Sequence, residues 1–397
     1  MKTNIAVFFG CRSVEHEVSI ISAVQAMRAI NREKYDVTPV YVAKDGIMYT
    51  GEKLFEIENY RDLPKLLADC EKITFIKNEN GVSLHYLNKG LFSKKKDTEI
   101  DLAFPIVHGT NCEDGTISGY LEFLGLPYIG CDILSAAVGM DKAVFKDVLK
   151  SAGLPVLDCV KFRARKYRTD KQNIIDEIKE KIGFPLIIKP VNLGSSVGIS
   201  KVNNESELDE AINLAISFAD LILAEKAVTD LREINCSVLG DADNCTASVC
   251  EEPFMHDEIL SYKDKYLGGG KNDGPSKGMA SLGRKIPADL SKEKSDEIRD
   301  LSCRIFKALG ASGVVRIDYL LDTKTDTVYA NEINTIPGSL AFYLWEATDL
   351  KYTDMIDRLV ETAFKRARNR ANLTFTIDTN ILSGVSFGSK GAKGAKI

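Results

Sequence analysis

Two apolar segments late in the chain, Val314–Leu321 and Thr327–Ile333, limit its folding more than any other feature. Asp318 and Glu332 stand fourteen positions apart. If the segments pair as antiparallel strands, the two carboxylates can face each other on one side, with Asn334 two residues beyond Glu332 on that same face. Three oxygen donors around one point suit Mg²⁺, which takes carboxylates together with water and nucleotide phosphates. The competing reading is a row of solvated strand charges. Both segments are otherwise apolar enough to be buried, and a buried carboxylate is costly unless a cation or donors compensate it.

With 397 residues, 44% hydrophobic and 27% charged, the chain has material for two or three globular domains. A net charge of -5 argues against a general nucleic-acid or anionic-membrane binder, whose affinity rests on clustered Lys and Arg. The nine cysteines are scattered, with no C-x-x-C pair and no His tract at ligand spacing, so neither a disulfide frame nor a zinc site is expected. The first apolar run is short for a secretory segment and no later one reaches about 18 apolar residues. A cytoplasmic protein without membrane or nucleic-acid partners is the expectation.

Strand Ile5–Phe9 leads into a turn at Gly10–Ser13 and then an amphipathic helix carrying Val18, Ile21 and Val24. Strands are also expected at Val37–Val42 and Leu102–Val107, the latter ending at His108. Strands alternating with helices imply a parallel sheet with ligands beyond the strand C-termini. Leu186–Pro190 followed by Gly194-Ser195-Ser196-Val197-Gly198 reads as a hairpin. The Gly-rich stretch Leu267–Gly278 suits either a mobile loop or a passive surface excursion. The segment from Ser383 onward is small, polar and basic, and is expected to add no core.

No G-x-x-x-x-G-K-[ST] occurs, so the common phosphate loop is excluded. The Gly194–Gly198 turn can still present backbone N–H groups to phosphate, with Lys189 supplying charge. By itself Lys142 reads more readily as a solvated helix-start lysine than as a phosphate ligand. The initial strand-turn-helix lacks G-x-G-x-x-G, which removes the usual dinucleotide-dependent oxidoreductase.

In order and spacing, Met140-Asp141-Lys142, Ile188-Lys189-Pro190, Glu225-Lys226, Arg232-Glu233, Arg316-x-Asp318 and Asn331-Glu332-Ile333-Asn334-Thr335-x-Pro337-Gly338 resemble the ATP-grasp fold. More closely, they resemble the D-alanine–D-alanine ligases. The N-terminal run from Phe9-Gly10 through Ser13, Glu15 and Glu17-Val18-Ser19 shares the likeness, as does His108-Gly109 with Glu113-Asp114-Gly115-Thr116. The resemblance spans roughly residues 4 to 365. It implies an α/β and α+β architecture with a Rossmann-like N-terminal domain over 1–135, a small central domain over 136–222 and a C-terminal domain over 223–370, before a tail at 371–397. It implies ATP, two Mg²⁺ ions replaceable by Mn²⁺, D-alanine as substrate and a homodimer.

By the same resemblance, Lys142, Lys189, Ser195 and Ser196 meet ATP phosphates, Glu225 and Lys226 border adenine, and Glu233 holds the ribose. Asp318, Glu332 and Asn334 are the metal ligands. Arg316 and the Gly338 backbone face the oxyanion. Glu15 takes the first ammonium, linked by hydrogen bonds to Ser195 and Tyr266, with Val18 beside it. His108 stands either near this substrate or simply as a structural strand end. Lys265, on the segment Ser261–Leu267, reaches the transferred phosphate when that loop closes, which keeps water from a reactive acyl phosphate. Tyr343 and Leu344 line the second-substrate pocket.

Three departures from the family pattern stand out: Cys11 where the family often has Gly, a longer Leu267–Gly278 stretch, and the continuation Ser339-Leu340-Ala341-Phe342-Tyr343-Leu344-Trp345. The expected reaction is D-alanyl-D-alanine formation through D-alanyl phosphate. A D-alanine–D-serine ligase, or another ATP-grasp carboxylate–amine ligase, is the alternative.

Overall fold

The computed structural model describes residues 2–79, 81–87, 96–109, 111, 113–192, 197–253 and 283–384. Three sheets organise them. The first holds β1 (Thr3–Gly10), β2 (Tyr35–Val42), β3 (Met48–Thr50), β4 (Glu71–Asn78), β5 (Gly81–Tyr86), β6 (Thr98–Ile100) and β7 (Leu102–Pro105), in the order β6-β5-β4-β3-β2-β1-β7. Only β2, β1 and β7 run parallel; the other pairings are antiparallel. The wholly parallel sheet expected from the alternating pattern is therefore only its β2-β1-β7 part. The link from Val42 to Met48 is too short for a parallel crossover, which takes a dozen or more residues, so β3 folds straight back.

The strand-to-helix turn after β1 is sterically exacting. Gly10 has φ +90°, and a Cβ there would lie 2.5 Å from the Val42 carbonyl oxygen. Cys11 follows at φ 73°, a region that costs an L-residue. Its N–H donates to Val42 O at 2.6 Å, and its carbonyl accepts from His16 Nδ1 at 2.6 Å. A carbonyl can only accept, so Nδ1 carries the proton and Nε2 accepts from the Tyr41 hydroxyl at 2.9 Å. Two buried side chains thus brace the one strained residue before α1 (His16–Ala29).

The second sheet, β8 (Cys159–Arg163), β9 (Leu186–Pro190), β10 (Ser200–Val202) and β11 (Leu221–Lys226), is antiparallel in the order β10-β9-β11-β8. β9 and β10 form the expected hairpin, while residues 193–196 of its turn lie outside the described residues. The third sheet runs β14-β13-β12-β15-β16, from β12 (Leu231–Gly240), β13 (Cys245–Pro253), β14 (Arg284–Lys285), β15 (Gly313–Asp322) and β16 (Thr327–Asn334).

Helix α2 (Leu63–Ala68) links β3 to β4, and between the first two sheets come α3 (Thr116–Leu124), α4 (Ile133–Met140) and α5 (Lys142–Ser151). Asp141 caps α5, its side chain accepting from the Ala143 and Val144 N–H groups. Phe145 and Leu149 of α5 pack with Ile298 and Ile305 of helix Lys292–Ala308 against the third sheet. Helix Tyr352–Ala371 returns to the first sheet, where Met355, Ile356 and Leu359 share a core with Ile5, Val7, Phe9 and Met27. The chain closes on itself, so the loop after β16 meets the N-terminal elements.

Among the described residues no cysteine is in a disulfide, no helix is long and apolar enough to cross a membrane, and no cluster of three His, Cys, Asp or Glu side chains is placed to hold a metal.

Candidate active site

β9, β11, α5 and β16 converge on one group of charges. Lys142 opens α5 and, far from being a solvated helix-start lysine, is buried with Nζ 3.0 Å from Glu332 Oε2. Lys189 on β9 pairs with Glu225 on β11 and donates to Asn331 Oδ1 at 3.0 Å. Lys146, one turn beyond Lys142, places its ammonium 3.0 Å from Glu225 Oε2. The contact is charge against charge, since neither atom makes a well-directed hydrogen bond. Side-chain exposure is 2% for Lys146 and 3% for Glu225, so both ions are out of water.

Burial alone would push the Glu225 carboxyl up, but Lys146 and Lys189 outweigh it and hold its pKa at about 2. For Lys189 the balance falls the other way: burial, with Lys146 and Lys142 nearby, lowers its ammonium pKa despite the pull of Glu225. We take Glu225 as firmly ionised, because two cations serve one carboxylate. Glu225 is therefore built into the floor of the site, while Lys226 beside it is exposed. Glu233, on β12 opposite Leu320, is half-buried.

The predicted strand pairing is found: Asp318 lies opposite Glu332, and Arg316 opposite Asn334, across β15 and β16. Arg316 grips Asp318 with two hydrogen bonds of 2.7 Å, and Asn334 Nδ2 donates to Asp318 at 3.0 Å. Burial disfavours the guanidinium charge, but Asp318 more than compensates and raises the Arg316 pKa. Two carboxylates and an amide oxygen share this face with no soft ligand among them, a donor set that fits Mg²⁺. Arg316 and Lys142 occupy these carboxylates here; the resemblance assigned the two cations to the oxyanion and the phosphates.

Glu15, at the N-terminus of α1, is buried against Gly109; a Cβ on Gly109 would lie 2.9 Å from Glu15 Oε2 and 2.6 Å from Ser13 Oγ. Val18 is buried in the first turns of α1. His108 donates from Nδ1 to the Ile336 carbonyl at 2.8 Å, and its Nε2 faces Ser22 Oγ at 2.8 Å. Burial lowers its pKa against the opposing pull of Glu15. Its partners are backbone and Ser22, so its visible role is to join the N-terminal sheet to the loop after β16.

Glu113 bridges the same two parts, accepting from Gly109 N at 2.6 Å and Ile336 N at 3.2 Å. Burial, with Glu15 nearby, raises its pKa to about 8. Gly338 begins a short turn in which Ser339, Leu340 and Ala341 all have φ near +50°. Tyr343 and Leu344 follow, both buried. The Tyr343 hydroxyl donates to Glu251 Oε1 at 3.2 Å, and the Arg284 guanidinium stacks 4.3 Å from its ring centroid while pairing with Glu251 at 2.7 Å. Burial and Glu251 raise the Tyr343 pKa to about 12, so the phenol stays protonated.

Ser195, Ser196, Lys265 and Tyr266, with the expected closing loop, lie outside the described residues. Lys146, Glu251 and Arg284 were not singled out from sequence, and Glu113 appeared only within a motif. The one available signal was for Lys146, four residues from Lys142 and hence on the same helix face.

Residues 4–131 match the family model "D-ala D-ala ligase N-terminus" and residues 148–361 its counterpart "D-ala D-ala ligase C-terminus". The chain belongs to the D-alanine–D-alanine ligase family. A D-alanine–D-alanine ligase of Thermosipho melanesiensis is 38% identical over 381 residues, spanning 96% of this chain and 98% of that one. One from Acetivibrio thermocellus is 37% identical over 92% of this chain and 96% of its own. Among solved structures, the Coxiella burnetii D-alanine–D-alanine ligase superposes with TM-score 0.77 at 28% identity, covering 93% of this chain and 96% of that one. The VanG D-Ala:D-Ser ligase of Enterococcus faecalis does so with TM-score 0.75 at 29% identity, over 91% and 100%. The fold is the expected ATP-grasp fold, and the family is one of ATP-dependent, Mg²⁺-using ligases.

Proposed function

We propose that this chain joins two D-alanines into D-alanyl-D-alanine for peptidoglycan precursors, through a D-alanyl phosphate. The observation that carries the reading is the convergence of three sheets on one site. Lys142 contacts Glu332 and Lys189 contacts Asn331, so the phosphate-side cations lie directly against the carboxylate face of β15 and β16. The division into domains at residues 135 and 222, and a cytoplasmic homodimer, are part of the same proposal.

The first D-alanine places its ammonium on Glu15, next to Gly109. Its carboxylate attacks the γ-phosphorus of ATP, the bond to the β–γ bridging oxygen breaks, and ADP leaves. Lys142 and Lys189 meet the phosphate charge; the ion pairs seen here give way to the nucleotide, and positioning and charge neutralisation lower the barrier. Asp318, Glu332 and Asn334 would hold two Mg²⁺ ions, which supply Lewis-acid neutralisation of the phosphates. The uncharged amine of the second D-alanine then attacks the acyl carbonyl, phosphate departs, and a proton is lost from nitrogen. Arg316 and the Gly338 N–H stabilise the oxyanion, and Tyr343 and Leu344 wall the acceptor.

The resemblance to a D-Ala:D-Ser ligase structure supports a second reading, D-serine as acceptor. Phosphate release and product mass with ATP, Mg²⁺ and D-alanine, with and without D-serine, separate the two. D-Alanyl-D-alanine as main product is expected. A dominant D-alanyl-D-serine product establishes the second reading, and no phosphate release from D-alanine refutes both.

A further inference from the structure

The turn before the acceptor wall is a backbone anomaly. Ser339, Leu340 and Ala341 have φ/ψ of 51°/24°, 54°/22° and 50°/27°, three consecutive non-glycine residues in the left-handed region. Single left-handed residues are tolerated in turns, but a run of them brings each Cβ against the following carbonyl and persists only where surrounding structure imposes it. Immediately after this run the short helix Phe342–Glu346 presents Tyr343 and Leu344. Whatever imposes the turn therefore also sets the acceptor wall.

Beside the turn's own Leu340 N–H to Pro337 O bond, its first residue is held by Ser22, on α1 and 317 residues away in sequence. Its Oγ accepts the Ser339 N–H at 2.9 Å and lies 2.8 Å from His108 Nε2. His108 Nδ1 must donate to the Ile336 carbonyl, so Nε2 is the acceptor and the Ser22 hydroxyl proton points to it. Ser22 thus uses its one proton on His108 and a lone pair on Ser339, closing a ring from Ile336 through His108 and Ser22 to Ser339. His108, at 3% exposure, and Ser22 and Ser339, each at 1%, are buried, while Ile336 is half-buried. The Ser339 hydroxyl has no hydrogen-bond partner among the described residues. The contact that matters there is the backbone N–H, and a glycine at 339 would sacrifice no hydrogen bond.

We propose that Ser22 is a positioning residue for the second, amine-donating amino acid: it clamps the left-handed turn and so fixes where Tyr343 and Leu344 meet the acceptor. This rests on the ligase reading. The first substrate's ammonium site, Glu15, stands two turns before Ser22 on the same face of α1 and packs against Gly109, but the ring itself runs through Ile336, His108, Ser22 and Ser339. Alanine at 22 can neither donate nor accept, so Ser339 N–H and His108 Nε2 both lose their partner.

The test compares wild type, S22A, S339G and S22A/S339G as full-length proteins, with ATP, Mg²⁺ and D-alanine. Donor and acceptor KM, kcat and Tm are measured for each. Loss of a buried hydrogen bond of about 1.4 kcal/mol corresponds to about tenfold. S22A should raise the acceptor KM about tenfold or more while kcat and donor KM stay within about threefold. Because glycine adopts the left-handed region freely, S22A/S339G should recover most of the acceptor KM and of the Tm lost in S22A. An unchanged acceptor KM in S22A, an equal rise in both KM values, or no recovery on adding S339G overturns the clamp. A wild type that makes no dipeptide from D-alanine, with or without D-serine, sinks the ligase reading and the acceptor role with it, and recovery of Tm by S339G then decides the clamp alone.

Discussion

Replacing Lys146 by Met tests whether the buried charge cluster is built as described. Methionine keeps most of the lysine stem but removes the ammonium, leaving Glu225 with Lys189 alone. At 3.0 Å the lost attraction amounts to roughly 5 kcal/mol at an effective dielectric near 20. Removing one partner of a buried pair costs about 3–5 kcal/mol, and the surviving Lys189 contact places this site at the lower end, about 3 kcal/mol. Glu225 then leans wholly on Lys189 and draws it from the phosphate position, so the ATP KM should rise about tenfold, equivalent to about 1.4 kcal/mol. Urea unfolding followed by circular dichroism, with ATP titration of the phosphate-release rate, measures both effects. The control is K146M/E225Q: neutralising the carboxylate removes the buried orphan charge and should return more than half of the lost stability. A K146M loss under about 1 kcal/mol, or no gain on adding E225Q, would refute the claim that Lys146 is there to hold Glu225.

Three further outcomes follow from the same geometry. Cys11→Gly should raise stability by about 0.5–1 kcal/mol by relieving φ 73°, and a fall in Tm would show that the thiol packs in a way glycine cannot replace. Glu225 ionises at about 2 when folded and near 4.5 when unfolded, so its contribution is complete above pH 4.5 and fades as pH falls toward 2. That term is worth about 3 kcal/mol, and the E225Q protein should lose less stability than wild type between those pH values. Asp318→Asn should cut kcat by about a hundredfold or more and raise the Mg²⁺ needed for half-maximal rate, while leaving the first-substrate KM within about threefold; an unaltered Mg²⁺ requirement would remove Asp318 from the metal set.

The cysteine replacement also illustrates where sequence reading reaches its limit. Cys11 was visible as a departure, but the buried His16 and Tyr41 that brace it came only with the fold, since Tyr41 lies on another strand. Likewise, residues 339–345 were marked as unusual, yet without glycine in them nothing signalled a left-handed turn. That turn is held from α1, across 317 residues.

What the sequence determined by itself is what local periodicity and spacing encode. The fourteen-residue offset between Asp318 and Glu332 set them opposite each other because strand side chains alternate with a period of two. The apolar runs became β1, β2, β7 and β9, and the order of motifs placed the chain in its family. Only the tertiary structure decided which charges lose their water. Lys146 looks like an ordinary surface lysine in the sequence, and burial turns it, with Lys189, into a cradle for Glu225. Burial is a property of what packs on a residue from elsewhere in the chain. The cost of hiding a charge, and the partners that offset it, are therefore written in contacts between distant segments rather than in any local pattern.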